Sequence, residues 1–318
     1  MPFAIILSCT RRIGLQPLGS FSTPRYGKTM VELLLDAGAL LGESPRWNGA
    51  DARLYWVDID AHRIHRTDPA TGRDEVMQLD GPVGCVAPRA AGGLIAALKS
   101  GCALIDEWGA APQAFGEQVL ADLPGQRFND GCVDAAGRLW VGSLTADKAK
   151  RDATLYRVDP DATLTPMIAG LMTSNGAAFS PDGRTFYHAD TPTHRIDAYD
   201  VDPATGTLGD KRVFHQFSEG HGRPDGAAID AEGCYWSALW DGWRIVRLSP
   251  QGELIQTVEM PVQRPTMIVF GGEDLKTAFV TSAGKNLNDE EREAQPHAGG
   301  VFSFRVDVPG LTQTDFGG

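Results

Sequence analysis

At 318 residues, with 42% hydrophobic and 22% charged positions, the chain has the balance of a soluble globular protein with a sizeable core. Its 29 basic residues against 41 acidic ones leave a net charge of −12 without any Lys/Arg cluster, which argues against nucleic acid and anionic membrane surfaces as partners. Seven histidines without H-E-x-x-H or similar spacing argue against a histidine zinc site.

The start of the chain differs in character from the rest. Phe3 to Cys9 is an apolar run too short to span a bilayer, and Arg11 and Arg12 come after it, where a secretory signal would carry its charge first. Residues 1–29 are therefore expected to be a leader or an over-long reading frame outside the fold, with Met30 as the functional start. Residues 30–318 are expected to form a single domain. The strand Val31-Glu32-Leu33-Leu34-Leu35 comes next and has no hairpin partner nearby.

From Leu41 to Val308 six units echo one another. Their first strands are Gly42-Glu43-Ser44-Pro45-Arg46-Trp47, Pro82-Val83-Gly84-Cys85-Val86-Ala87 and Arg127-Phe128-Asn129-Asp130-Gly131-Cys132-Val133. The later three are Ser174-Asn175-Gly176-Ala177-Ala178-Phe179, Pro224-Asp225-Gly226-Ala227-Ala228-Ile229 and Pro265-Thr266-Met267-Ile268-Val269-Phe270. The steps from Gly84 to Gly131, Gly176, Gly226 and Met267 are 47, 45, 50 and 41 residues, the period of propeller blades.

Each unit continues with strands rich in β-branched and aromatic residues, such as Leu54-Tyr55-Trp56-Val57-Asp58-Ile59 and Tyr235-Trp236-Ser237-Ala238-Leu239-Trp240. Turns such as Ser180-Pro181-Asp182-Gly183 and Asp230-Ala231-Glu232-Gly233 join the first two strands of their units. The predicted fold is all-β, a six-bladed β-propeller with a metal site in its central channel. The spare strand before Leu41 should pair with Gly300–Arg305 and close the ring. Asn288 to Gln295 is the one clear helical window.

The five cysteines, Cys9, Cys85, Cys102, Cys132 and Cys234, make no C-x-x-C pair and read as small core residues in a reducing, cytoplasmic setting.

In a propeller, equivalent positions of different blades face one channel. Glu43, Asn175 and Asp225 then become oxygen donors gathered from distant parts of the chain, with Asp130 in the same frame. Carboxylate and amide oxygens suit one divalent cation: Ca²⁺, Mg²⁺ or Mn²⁺, or Zn²⁺ or Fe²⁺ where a coordination position stays open. The bland alternative treats Asn175-Gly176 and Asp225-Gly226 as turn formers. His188 either lines the pocket or is a hydrogen-bonded core residue, and Trp240 either stacks on a substrate ring or packs a blade. Ser44 and Ser174 sit in no nucleophile elbow.

Gly42-Glu43-Ser44-Pro45, Arg127-Phe128-Asn129-Asp130-Gly131, Ser174-Asn175-Gly176 and Pro224-Asp225-Gly226 resemble the signatures of the SMP-30/gluconolactonase/regucalcin (LRE-like) family. The likeness runs on through Phe270-Gly271-Gly272 and Ala298-Gly299-Gly300-Val301-Phe302. Thr185 to Thr191 and Ala238-Leu239-Trp240 are more similar to its bacterial sugar lactonases. The resemblance implies a six-bladed propeller that binds one divalent cation through Glu43, Asn175 and Asp225 and hydrolyses a sugar lactone, an aldono-1,4- or 1,5-lactone. It implies that Arg127 and Asn129 bond the sugar hydroxyls. Asp147 falls near a further substrate-contacting acid, in a loop shorter than that of the animal proteins.

In the mechanism so implied, the metal polarises the lactone carbonyl and activates water, and Asp225 doubles as the catalytic base. Activation by the metal without a protein base is the alternative for that step. Other expectations compatible with the fold are an organophosphate or aryl-ester hydrolase and a non-catalytic propeller that binds cations or proteins. The expected assembly is a monomer or weak homo-oligomer.

Overall fold

A computed structural model of the protein describes residues 29–147 and 149–318, so the expected leader lies outside the described residues apart from Thr29. Each repeat unit folds into a four-stranded antiparallel sheet, and the six sheets are the blades of a propeller. The innermost strands are Gly42–Asn48, Val83–Pro88, Gln126–Val133, Ser174–Phe179, Arg223–Ile229 and Pro265–Gly271. These are the six echoing strings.

The sixth blade is composite. Its outer strand is Glu32–Leu35, which pairs with Val301–Arg305 with Leu33 opposite Phe302. The predicted closure is present, and it covers the outer edge of Val301–Arg305.

Blade stacking explains the composition of the strands. The second strand of each blade is buried on both faces, so Arg53–Asp58 and Tyr235–Trp240 read as nearly continuous apolar runs. Outer strands meet solvent, and Thr207–Gln216 is mostly exposed. Trp56, Trp140 and Trp236 are fully buried on the second strands of the first, third and fifth blades. A buried indole N–H needs an acceptor. Thr67, Asp134 and Asp230 supply it, each at 2.9 Å.

All six inner strands carry a β-bulge near their first residues, at Glu43/Arg46, Val83/Cys85, Phe128/Gly131, Asn175/Ala178, Pro224/Ala227 and Pro265/Met267. A bulge breaks the ladder locally and re-aims the side chains around it. Here the bulged backbone takes the left-handed conformation at Ser44 (φ 49°) and Gly176 (φ 62°). A Cβ on Gly176 would also collide with the Tyr235 hydroxyl, which donates to the Gly176 carbonyl at 2.8 Å.

Beyond Val308 the chain crosses the end of the propeller opposite those bulges. Pro309 accepts from Ala231 N, Gln313 accepts from Trp47 N, and Phe316 exchanges backbone bonds with Pro88 and Ala90. Gly317 N donates to Gly137 O, and Phe316 is fully buried.

The helical window is the short helix Asp289–Ala294, capped by Asn288 and Glu291 in a reciprocal box. Among the described residues no helix is long and apolar enough to cross a membrane.

Candidate active site

The bulges bring the starts of the inner strands together around a cavity of about 460 Å³. Glu43, Asn175 and Asp225 line it from the first, fourth and fifth blades, joined by Arg127, Asn129 and Trp240. Three further expected residues stand elsewhere. Asp130 is buried outside the lining, accepting from Gly131 N at 2.7 Å and Ala177 N at 3.1 Å. His188 is sealed between blades, its Nε2 2.8 Å from Ser174 Oγ, and burial lowers its pKa to about 4. Asp147 lies on an exposed loop with Lys150 3.8 Å away and does not reach the cavity lining.

The two carboxylates at the cavity floor are unusual for buried acids. Glu43 and Asp225 are 6% and 3% exposed, yet neither has an ion-pair partner among the described residues. Glu43 accepts one long bond, from Ser44 N at 3.4 Å, and Asp225 accepts none among the described residues. Burial, and then the charges of Asp225 and Asp130, push the Glu43 pKa well above the usual carboxylate range. Burial, and then Asp130, do the same to Asp225. Buried acids without a counter-charge are costly to keep ionised, and a cation between them reverses that cost.

Among the described residues no cluster of three His, Cys, Asp or Glu has a metal-binding disposition. The third donor here would be an amide oxygen. Two carboxylates and an amide are hard oxygen ligands, so the donor set fits a divalent cation, with other positions left for water or substrate.

The amide is held at both ends. Asn175 Oδ1 accepts from Asn129 Nδ2 at 2.7 Å, and Asn175 Nδ2 donates to Thr191 Oγ1 at 2.7 Å. Thr191 Oγ1 donates in turn to Pro224 O at 2.8 Å. Asn129 Nδ2 also donates to Ser174 O, and Asn129 Oδ1 accepts from Arg127 Nη1 at 2.8 Å. Arg127 makes a second bond, to Phe128 O at 2.8 Å. Burial lowers the Arg127 pKa, an effect opposed by the charges of Asp60, Glu43 and Asp225.

Sequence reasoning gave no individual role to Thr191, Arg223 or Lys285, which also line the cavity. Trp240 forms a half-buried wall there, with Arg264 5.3 Å and Lys285 5.9 Å from its ring centre. Thr191 comes directly after the second strand of its blade, and that position was the available signal. The two cations carried none, since isolated basic residues usually mark a solvated surface.

The family model for the SMP-30/Gluconolactonase/LRE-like region matches residues 41–284. A 6-deoxy-6-sulfogluconolactonase of Pseudomonas putida is 43% identical over 284 residues, covering 88% of this chain and 96% of the relative. Regucalcin of Gallus gallus is 36% identical, covering 87% and 95%. The crystal structure of a calcium-binding protein, regucalcin, from Agrobacterium tumefaciens superposes with a TM-score of 0.87 at 29% identity, covering 91% of this chain and 98% of that one.

Proposed function

The chain belongs to the SMP-30/gluconolactonase/LRE-like family, and we propose that it is a sugar lactonase opening an aldono-1,4- or 1,5-lactone to the sugar acid with one divalent cation held by Glu43, Asn175 and Asp225. One observation carries this proposal above the others. Oxygen donors from three separate blades meet in one cavity whose wall also carries Arg127 and Asn129.

A divalent cation bound there supplies Lewis acidity to the ester carbonyl and acidifies a water. The protein's own groups divide the remaining work. Both Asn129 amide hydrogens are committed, to Ser174 O and Asn175 Oδ1, so toward a sugar hydroxyl Asn129 acts only as an acceptor. Arg127 uses Nη1 on Phe128 O and Asn129 and keeps its other N–H groups for ring oxygens. Trp240 offers a flat apolar face to the ring. Asp225 carries no hydrogen bond among the described residues, so one oxygen can serve as ligand while the other takes the proton of the attacking water.

Asp130, held by two backbone N–H groups, supports the floor, and His188 supports Ser174. We assign no substrate contact to Asp147. Cys85, Cys102, Cys132 and Cys234 are buried and unpaired, which supports a cytoplasmic setting.

The calcium binding named for the Agrobacterium relative favours one second reading, a propeller that holds a cation without turnover. One experiment separates the two: pH-stat hydrolysis of a panel of sugar lactones by metal-stripped protein, with each divalent cation restored in turn. Acid release with a particular cation and lactone is the expected result. A flat response from folded protein would leave the binding propeller. Arg127→Ala should abolish hydrolysis if the arginine holds the substrate.

A further inference from the structure

One side of the cavity mouth carries more positive charge than its own partners neutralise. Arg223 pairs with Asp241 through Nη2, and the same carboxylate accepts from Arg264 Nε at 2.8 Å. Lys285 Nζ lies 2.9 Å from Asp60 Oδ2. Three cations thus share two carboxylates in a connected group, since Arg264 Nη1 also donates to the Lys285 carbonyl at 2.6 Å.

The Arg223 side chain makes no other hydrogen bond among the described residues, so the rest of its guanidinium N–H donors are uncommitted. Both Arg223 and Lys285 line the cavity, on the side walled by Trp240. A wall of this kind offers donors and charge but few acceptors, since neither guanidinium nor ammonium can accept. Neutral sugar hydroxyls need both roles from their surroundings. A group with several acceptor oxygens and a full negative charge matches the wall better.

Resting on the lactonase reading, we infer that the substrate is an aldonolactone bearing a strong-acid oxyanion, a sulfonate or phosphate, on its exocyclic carbon, anchored by Arg223 and Lys285. The ring then lies against Trp240 with its carbonyl directed to Asp225. The two cations also favour the ionised form of Asp225. That is a second effect of the same charges, and varying the charge of the substrate separates it from anion binding.

The test compares kcat/KM of the metal-loaded protein for three lactones of one ring: neutral, 6-sulfonated and 6-phosphorylated. We expect at least one anionic lactone to be preferred by about tenfold or more. That preference should shrink as salt rises, because screening weakens charge attraction and leaves a neutral ligand unaffected. Arg223→Gln and Lys285→Gln should each lower the ratio of anionic to neutral kcat/KM. The ranking of sulfonate and phosphate identifies the source of the anion, and the salt arm needs no variant.

Equal or better use of the neutral lactone, at a ratio insensitive to salt and to both substitutions, would overturn the inference while leaving the lactonase intact. If no lactone is hydrolysed, the lactonase reading falls. Calorimetric binding of the anionic against the neutral lactone then still decides whether the anion site exists.

Discussion

Asn129 and Asn175 meet across the joint between the third and fourth blades, the Nδ2 of the first donating to the Oδ1 of the second at 2.7 Å. Amide oxygen and nitrogen are normally told apart only by their bonding. Here the direction is fixed at both ends of a chain of bonds. Arg127 can only donate and the Pro224 carbonyl can only accept, so Arg127, Asn129, Asn175 and Thr191 must each pass their hydrogens the same way. Asn175 is thereby held with its carbonyl turned from Thr191, the orientation a cation ligand needs.

Thr191→Val should release that amide. The acceptor for Asn175 Nδ2 disappears while the apolar bulk remains. We expect affinity for a divalent cation to fall by about 10- to 100-fold, the usual cost of losing a group that orients a metal ligand. Titration calorimetry measures it, and Thr191→Ser should restore binding. Unchanged affinity in Thr191→Val would show that the Thr191 bond does not position a cation ligand.

The buried acids set a pH dependence whose sign is fixed. Burial raises the pKa values of Glu43, Asp225 and Asp130 above their unfolded values, Asp130 from 3.8 to about 6. A raised pKa means the folded state holds the proton more tightly than the unfolded chain does. These groups favour folding most below the unfolded pKa, and that stability is lost as pH rises through the folded one. The Tm gained on adding a divalent cation should therefore grow as pH rises from about 4 toward 7. Scanning calorimetry of the stripped and loaded protein tests this, and Glu43→Gln with Asp225→Asn should flatten the trend.

Gly142 marks a close approach between the third and fourth blades. A Cβ there would overlap the Ser174 side chain, the group that bonds His188. Gly142→Ala should cost about 1–3 kcal/mol of stability by overpacking. Urea unfolding would read it as a lowered midpoint at unchanged slope.

Asp230 is fully buried beneath the fifth blade, where it accepts from Glu232 N, Cys234 N, Trp236 Nε1 and Arg247 Nε. Asp230→Ala leaves a mostly buried guanidinium and an indole N–H without their acceptor. A loss of about 3–5 kcal/mol is expected, as for breaking a buried pair from one side. A loss below about 1 kcal/mol in chemical denaturation would show that water or Glu232 replaces the carboxylate.

The parts of the site that were legible in the sequence are those tied to the repeat. Glu43 and Asn175 open the bulges of their blades and Asp225 lies one residue further, inside its own, and blade geometry carries all three to the channel. Asp147 illustrates the opposite case. Its loop joins the second and third strands of the third blade, a connection whose length differs from blade to blade, and there Asp147 faces Lys150. Arg223 and Lys285 show their meaning only through Asp241, Arg264 and Asp60, partners that come from other turns of the chain. The segment after Val308 was invisible for a different reason: backbone bonds, the Gln313 side chain and one buried phenylalanine hold it, and none of these leaves a period. The ring closure by Glu32–Leu35 was legible because a strand without a neighbour must find one.

That closure orders the assembly of the molecule in time. Leu33 precedes every blade in the chain, and its partner Phe302 lies in the third strand of the last. During synthesis the sealing strand therefore emerges first and waits through all six blades before its ladder exists. The contact has nearly the greatest sequence separation the fold allows, and loops that long close slowly. Until then the outer side of Val301–Arg305 presents unpaired backbone. Delay at this step leaves the apolar strand Val301–Arg305 uncovered, and so open to aggregation even where the finished ring is stable.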